Sequence, residues 1–351
     1  MSRRAFAVGS VALLVSILLG GAVFLDQKRP VRLQESRLYL GTMVDLDADF
    51  PDRETGKKAM AAAWGLIERL EQVFSERRAD SEIAGINRMA GISRVQVSPS
   101  ALEVIRMALE FSRRSGGAFD PTWAALAFDP RGWRIDPNHP RVPGPEDLRR
   151  ILPRVDYRKV RISESESWVF LPEPGMVMGL GGIAKGYIVD RVTRELQSRG
   201  AIAGIVNAGG DLRVFGNPRS GKAWRIGVRD PFHPDRILAR VPVTQGAVAT
   251  SGNYERAMVV NGIRYHHIFD PHTGWPARGL AQVTIAAPEA VTAEATALSV
   301  FVLGKEKGQE FLKGFPGNEG ILIGEDGERS VTSGWKNRVE FLDRQARGSD
   351  P

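Results

Sequence analysis

The sequence predicts an α+β fold in which antiparallel sheets are flanked by helices. Up to about residue 200, apolar residues recur mainly every three or four positions, as on one face of a helix. Beyond that point, short apolar segments alternate with turns rich in glycine and proline, which is typical of antiparallel strands. We see no interdomain linker and no internal repeat. Helical segments followed by many strands in one unit are characteristic of the α+β class.

The first 30 residues differ from the rest of the chain. Arg3 and Arg4 precede a run without charged residues from 5 to 25, which at roughly 20 residues is long enough to span a bilayer. Its length favours an uncleaved signal anchor over a cleaved signal peptide, although small residues at 20–22 leave cleavage open. We therefore predict a signal anchor or signal peptide (1–30), one folded domain (31–341) and a polar tail (342–351). The folded domain is expected at the inner membrane, facing the periplasm or the cell exterior, or exported after cleavage.

Composition narrows the choice of ligands. The formal net charge of +7 suits an anionic ligand or a membrane surface. The basic residues are scattered and not interleaved with aromatic residues, so we predict no nucleic-acid partner. The chain has no cysteine, which excludes disulfides, thiol nucleophiles and thiolate metal sites.

The first half of the chain is predicted to be mainly helical. A strand (37–47) and a loop (51–56) come first. A helix with Met60 and Phe74 on its apolar face follows, and then a short helical turn ends near Asn87. Ser98 and Pro99 are typical of a helix start, and glycines at 116–117 end that helix. An irregular surface loop (123–142) and a short helix (145–152) come next.

The second half is predicted to be mainly strands. Thr292 is expected to cap a helix that reaches Val302, and a further helix covers 305–313. The predicted strands are 159–162, 168–171, 176–178, 202–207, 212–216, 224–229, 239–243, 247–251, 265–269, 282–286 and 320–323.

A glycine-rich segment, GLGGIAKG (179–186), lies between a predicted strand and a helix that Gly200 closes. In such a turn the free N–H groups and the positive helix end face an anion. Lys185, in the first helical turn, is within reach of a phosphate. The spacing fits neither a dinucleotide-binding fingerprint nor a Walker A loop, and such glycines more often form only a tight turn.

Five segments, taken together and in this order, are more specific. The chain resembles the ApbE family of FAD:protein FMN transferases from about Leu38 to about Gly324. The segments are GAFDP (117–121), GGIAKGY (181–187), NAGGDL (207–212), TSGNYER (250–256) and YHHIFDPHTGWP (265–276).

The resemblance implies a fold related to the tunnelling fold and an activity outside the cytoplasm. Such an enzyme cleaves FAD at its pyrophosphate with the help of Mg²⁺. It passes the FMN phosphoryl group to a threonine or serine hydroxyl of an acceptor protein and releases AMP. Phosphoryl transfer depends mainly on positioning and charge neutralisation, so the missing cysteine is no obstacle.

The resemblance also assigns roles to individual residues. Gly182, through its carbonyl, and Glu294 are predicted to bind the metal, and His267 and Glu294 to be catalytic. The predicted FAD-binding residues are Leu40, Ala118, Phe119, Asp120, Lys185, His267, Ile268, Asp270 and Thr273.

Several positions depart from the family pattern. Gly179 stands where the family has an aspartate that contacts FAD. On the late metal-binding helix, Glu294 replaces an aspartate, and Leu298 replaces a threonine four residues on, on the same helix face. Leu298 cannot ligate a metal, and Thr296 faces elsewhere. The family often has an aromatic residue at Arg77 and a methionine at Leu40.

Two other functions therefore remain open, and several residues have simpler explanations. An FAD pyrophosphatase would use water in place of the acceptor hydroxyl, and a non-catalytic FAD-binding protein would explain Gly179 and Leu298. Asp120 alone is typical of a turn cap before proline. His266 and His267 point to opposite faces of a strand, so at most one of them faces the site. The tryptophans in 123–133 either stack on the ligand or pack within their own loop.

Overall fold

The fold is that of a computed structural model, in which residues 29–342 are described. Its largest sheet has eight strands in the order β1-β2-β6-β7-β10-β13-β14-β15, and every neighbouring pair is antiparallel. Three smaller sheets have the strand orders β11-β12, β16-β9-β8 and β3-β5-β4. The strands are β1 (Val31–Tyr39), β2 (Thr42–Phe50), β3 (Val95–Gln96), β4 (Arg161–Ser163), β5 (Trp168–Phe170), β6 (Ala203–Ala208), β7 (Asp211–Phe215), β8 (Trp224–Arg229), β9 (Ile237–Val243), β10 (Gly246–Gly252), β11 (Ala257–Val260), β12 (Ile263–His266), β13 (Leu280–Ala287), β14 (Glu319–Gly324), β15 (Arg329–Val331) and β16 (Glu340–Phe341).

Helices pack against this sheet, so the predicted α+β class with antiparallel sheets flanked by helices is confirmed. The α-helices are α1 (Arg53–Phe74), α2 (Glu82–Arg88), α3 (Pro99–Arg114), α4 (Ala125–Phe128), α5 (Pro145–Ile151), α6 (Ala184–Ser198), α7 (Ala290–Leu303) and α8 (Lys305–Lys313). In the described part of the chain, no helix is both long and apolar enough to cross a membrane. The predicted N-terminal segment and polar tail lie almost entirely outside the described residues.

Strand β10 shows how the sheet separates two cores. Ala247 and Ala249 belong to the larger core, which includes buried residues of α1, α3, α6 and α7. Val248, between them, belongs to a second core with the β8–β9 sheet. Because successive side chains on a strand point to opposite faces, helices cover one face of the sheet and the small sheet covers the other.

The first predicted strand is in fact a hairpin. β1 and β2 pair along their whole length, and Leu40 and Gly41 form the two-residue turn between them. Both turn residues have positive φ, 57° and 69°, a conformation that a leucine rarely adopts. The Leu40 N–H donates to the Glu71 carboxylate at 2.6 Å and stabilises this turn from outside the hairpin. The predicted loop at 51–56 is wrong from Arg53 onward, because α1 begins there and Asp52 caps it by accepting from the Thr55 N–H.

Residues 123–142 form the predicted irregular loop with an exposed stretch at 137–141, but the loop contains α4 and is anchored by buried residues. Trp133 is only 2% exposed, and its indole N–H donates to the Gly274 carbonyl at 2.7 Å. Its ring packs against the aromatic rings of Tyr265, Phe269 and Trp275. The predicted strand at 176–178 contributes only an isolated bridge between Val177 and Trp123.

The N-terminal turns of α6 and α7 lie against each other and cap each other. Asp190 of α6 accepts the N–H groups of Ala290 (2.9 Å) and Val291 (3.0 Å) in the first turn of α7. Glu294 of α7 accepts the Gly186 N–H in the first turn of α6 at 2.7 Å. Each helix therefore satisfies orphan donors of the other. The predicted N-cap at Thr292 is wrong. The helix begins at Ala290, and Asp190 of α6 accepts its first N–H groups.

Gly186 permits this close approach, which yields a stability prediction. A Cβ at Gly186 would lie 2.4 Å from the Ala290 carbonyl oxygen. We expect Gly186→Ala to lower the free energy of unfolding by about 1–3 kcal/mol, as overpacking does. Urea unfolding followed by tryptophan fluorescence measures the change.

Gly65→Ala is the matched control. Gly65 lies inside α1, where an added Cβ would meet only the flexible end of Arg69 at 3.4 Å. It should raise stability by about 0.5–1 kcal/mol, because alanine loses less backbone entropy than glycine in a helix. Equal stability of Gly186→Ala and the wild type would rule out the close helix contact.

Candidate active site

One cavity of about 620 Å³ opens between the large sheet, α6, α7 and the 123–142 loop. Residues from all five sequence segments line it, although these segments are separated by up to about 150 positions in the chain. The predicted site residues on its wall are Leu40, Ala118, Asp120, Gly182, Lys185, His267, Ile268 and Glu294. Phe119, Asp270 and Thr273 are not part of the wall. The site-residue roles themselves stay predictions.

A buried charged cluster forms the floor of the cavity. The Lys185 ammonium lies 2.5 Å from Asp211 Oδ2 and contacts Glu294 Oε1. Asp211 and Glu294 are almost fully buried, with 5% and 4% exposure. We refer to Lys185, Asp211 and Glu294 as the lysine cluster. It joins α6, β7 and α7 at one point.

Burial and neighbouring charges shift the pKa values in this cluster. Burial alone would lower the pKa of Lys185, but Asp211 and Glu294 outweigh it and raise that pKa. Burial raises the pKa of Glu294, and Asp211 adds to the shift while Lys185 opposes it. Lys185 is therefore a permanent cation on the cavity wall.

The first turn of α6 does not present a free anion site. Sequence analysis predicted that the N–H groups of this turn and Lys185 would face a phosphate. In the structure, the Gly186 N–H and Lys185 both bind the Glu294 carboxylate. The anion at this helix end is a side chain of the protein itself, which the favourable position of a carboxylate at a helix N-terminus explains.

Asp120 combines a structural role with a position at the cavity. Its Oδ1 accepts the N–H and the hydroxyl of Thr122 at 2.7 and 2.6 Å, and its Oδ2 accepts the Tyr157 N–H at 2.9 Å. Burial raises the pKa of Asp120 against these hydrogen bonds. The carboxylate thus holds the turn and the 157–159 segment together beside the cavity.

The two adjacent histidines have different surroundings, although strand β12 ends at His266 and His267 lies just beyond it. His266 is buried against Phe301, with its Nε2 2.8 Å from the Ala277 carbonyl. His267 lines the cavity, and its Nδ1 lies 3.2 Å from the Arg256 carbonyl. A carbonyl only accepts, so Nδ1 carries the proton and Nε2 of the neutral ring has a free lone pair. Burial lowers the pKa of His267 to about 4.

The 270–276 turn packs next to the cavity, and most of its residues do not line the wall. Asp270 accepts from the His272 N–H at 2.9 Å and from the Thr273 hydroxyl at 3.2 Å. The His272 ring nitrogen Nε2 lies 3.0 Å from the Gly116 carbonyl, which ties this turn to the end of α3. Asp270 and Thr273 therefore shape the turn, while Pro271 reaches the cavity wall.

Close packing explains why position 179 is a glycine in this chain. A Cβ there would lie 2.9 Å from Ala124 Cβ and 3.1 Å from Trp123 Nε1. The Trp123 indole N–H donates to the Gly179 carbonyl at 3.1 Å. A carboxylate at this position would displace the tryptophan loop, which occupies that space in this chain.

Sequence reasoning missed several residues of the cavity. Asp211 follows two glycines in the NAGGDL segment, as a structural turn residue would, but it is an ion-pair partner of Lys185. Glu255 and Arg256 lie on the wall, and so do Arg77 and Arg134. Glu255 and Arg256 belong to the TSGNYER segment, so that motif was the available signal. Arg77 was noted only as a departure from the family pattern, and no local pattern connects Arg134 with this site.

Comparisons with known proteins agree with this architecture. Residues 40–322 match the model of the ApbE family. The chain is similar to the FAD:protein FMN transferase of Treponema pallidum (strain Nichols), with 34% identity over 350 residues, 95% of this chain and 96% of the relative. It is also similar to the FAD:protein FMN transferase of Klebsiella pneumoniae (strain 342), with 32% identity over 79% of this chain and 86% of the relative.

Solved structures have the same fold. The crystal structure of the ApbE protein of Thermotoga maritima superposes with a TM-score of 0.79 and 32% identity, and covers 88% of this chain and 99% of that protein. The flavin transferase ApbE of Vibrio cholerae superposes with a TM-score of 0.76 and 27% identity, over 89% and 100% of the two chains.

The hydrogen bond of His267 gives a prediction that NMR can test. We expect ¹⁵N ring shifts of a neutral imidazole with a protonated Nδ1 at pH 5.5, and double protonation only near pH 4. The pKa is lowered, so protonation needs more acid than for an ordinary histidine. His267→Gln assigns the signals, and a doubly protonated ring at pH 6 would contradict the assigned environment.

Proposed function

We propose that this chain, which belongs to the ApbE family, transfers FMN from FAD to a hydroxyl of an acceptor protein. It is a flavin transferase with FAD as its substrate and a protein as its acceptor. One observation above all supports this function: five distant sequence segments converge on a single cavity that is large enough for part of a dinucleotide. We also propose that the acceptor residue is a threonine or serine and that AMP is the released product.

The proposed reaction is a displacement at the FMN phosphorus. The oxygen of the acceptor hydroxyl forms the new P–O bond, and the P–O bond to AMP breaks. His267 is the proposed base, because its Nε2 has a free lone pair at neutral pH and the ring lies on the cavity wall. The proton of the hydroxyl passes to that nitrogen. Arg77 and Arg256 on the same wall are the proposed partners of the phosphates.

Magnesium, which the resemblance implies, stays a prediction. The predicted ligands are the Gly182 carbonyl and Glu294, but both Glu294 oxygens already bind the protein and Leu298 offers no oxygen. These residues offer the ion one carbonyl and one carboxylate that is already paired, so its other ligands would have to be water and phosphate oxygens. The reaction above is therefore written without a metal.

The proposed location is the outer side of a membrane. The supporting feature is the charge-free run at 5–25 behind Arg3 and Arg4, which suits a signal anchor or an export signal. The acceptor would then be a protein domain outside the cytoplasm.

A transfer assay tests the function. The full-length chain is incubated with FAD, Mg²⁺ and a flavin-acceptor domain that the Klebsiella pneumoniae transferase modifies in a parallel reaction. We expect an FMN mass adduct on the acceptor and an equal amount of AMP. FMN and AMP without an adduct would indicate a pyrophosphatase instead, and intact bound FAD would indicate a binding protein.

Variants test the role of His267. We expect His267→Gln to lower the transfer rate by roughly 10²–10⁴, the usual contribution of a positioned base, while FAD still binds. His233→Gln is the matched control, since His233 lies outside the cavity wall and its ring is exposed. Transfer at the wild-type rate by His267→Gln would exclude His267 as the base.

A further inference from the structure

The position between Gly182 and Glu294 is where the resemblance predicts a divalent cation. Glu294 uses both of its carboxylate oxygens within the protein. Oε1 contacts the Lys185 ammonium, and Oε2 accepts the Gly186 N–H at 2.7 Å. The side chain also serves as the cap that α7 provides for α6. An ion bound to this carboxylate would share its oxygens with both contacts and would be repelled by the Lys185 ammonium.

Leu298 occupies the space beside these groups. It lies one helical turn beyond Glu294 on the same face of α7. Its Cδ2 is 2.4 Å from the position of an ideal Cβ on Gly182, so the methyl group lies directly on the glycine backbone. Mg²⁺ requires oxygen ligands and keeps several waters. A methyl group here supplies no ligand and removes the room for water.

Two hydroxyls of α7 near Leu298 in the sequence have other partners. The Thr296 hydroxyl is buried and lies 3.5 Å from the Asn318 amide nitrogen. The Ser299 hydroxyl donates to the Ala295 carbonyl of its own helix at 2.7 Å. Neither residue can replace the oxygen that Leu298 lacks.

The two carboxylates of the site favour a bound cation, and the Lys185 ammonium already serves as one. Two carboxylates, Asp211 and Glu294, and one ammonium leave the lysine cluster with a formal charge of −1. The Lys185 ammonium lies between these carboxylates and is also 3.5 Å from the Gly181 carbonyl. Because it is covalently attached, its effective concentration in the site is far above that of a dissolved ion.

We propose that the ammonium of Lys185 is the resident cation of this site and that Leu298 excludes a divalent cation from the position between Gly182 and Glu294. The proposal deepens the proposed function at the same cavity and rests on it only for its relevance to turnover. A metal ion carried in on the pyrophosphate of FAD is a separate matter, so the test uses protein without FAD.

Binding of Mn²⁺, measured by electron paramagnetic resonance on the full-length chain, tests the proposal. We expect Leu298→Thr to bind Mn²⁺ at least tenfold more tightly than the wild type, because threonine adds an oxygen on the Glu294 face. Leu298→Ala is the matched control, since it makes room without adding a ligand, and should not reproduce that gain. Glu294→Gln added to Leu298→Thr should abolish the gain.

The opposite result is equally clear. Saturable Mn²⁺ binding by the wild type as tight as in Leu298→Thr, and lost in Glu294→Gln, would overturn the proposal. This comparison of wild type with Glu294→Gln decides the question even if Leu298→Thr does not fold, which thermal melting would reveal. Absence of FMN transfer with unchanged Mn²⁺ results would refute the proposed function and leave this inference standing.

Discussion

The two carboxylates exchanged between α6 and α7 are the constraint on which the rest of the structure depends. Asp190 of α6 binds the first turn of α7, and Glu294 of α7 binds the first turn of α6. Each buried carboxylate also has a cationic partner, Arg213 at 2.5 Å from Asp190 and Lys185 beside Glu294. Buried charges persist only when they are paired and hydrogen-bonded, and here both conditions are met twice. This arrangement fixes the helices relative to β7 and thereby defines one side of the cavity.

The same arrangement determines which groups the cavity presents to a ligand. A glycine-rich turn before a helix ordinarily presents free N–H groups to a phosphate. In this chain the Glu294 carboxylate of α7 accepts an N–H group in the first turn of α6, and the Leu298 side chain packs on Gly182. The remaining wall offers guanidinium groups and the neutral His267 to an incoming dinucleotide. Structural stability and the chemistry of the site therefore draw on the same few residues.

Sequence analysis predicted the parts of the fold that local patterns determine. Ser98 and Pro99 begin α3 as expected, because N-capping and a proline in the first turn are local effects. The hairpin turn at Leu40 was missed, because a leucine with positive φ has no local signature and is stabilised here by Glu71. The start of α7 was misplaced at Thr292 because the true cap, Asp190, lies 100 positions away.

Sequence analysis likewise predicted some residues of the site and missed others. Motif resemblance identified Lys185, His267 and Glu294 as site residues, and all three line one cavity. The ion pair of Lys185 with Asp211 was missed, because a carboxylate after two glycines has the pattern of a turn. Which partner a buried charge selects depends on tertiary distances that the sequence alone does not contain.

A double-mutant cycle on Lys185 and Glu294 tests the central claim most directly. The unfolding free energies of the wild type, Lys185→Met, Glu294→Gln and the double variant are compared at neutral pH. Loss of Lys185 alone should cost about 3–5 kcal/mol, because it leaves buried carboxylates without a partner. The account predicts a double variant more stable than the sum of the single effects by about 1–3 kcal/mol. Single effects that add to within about 0.5 kcal/mol would contradict it.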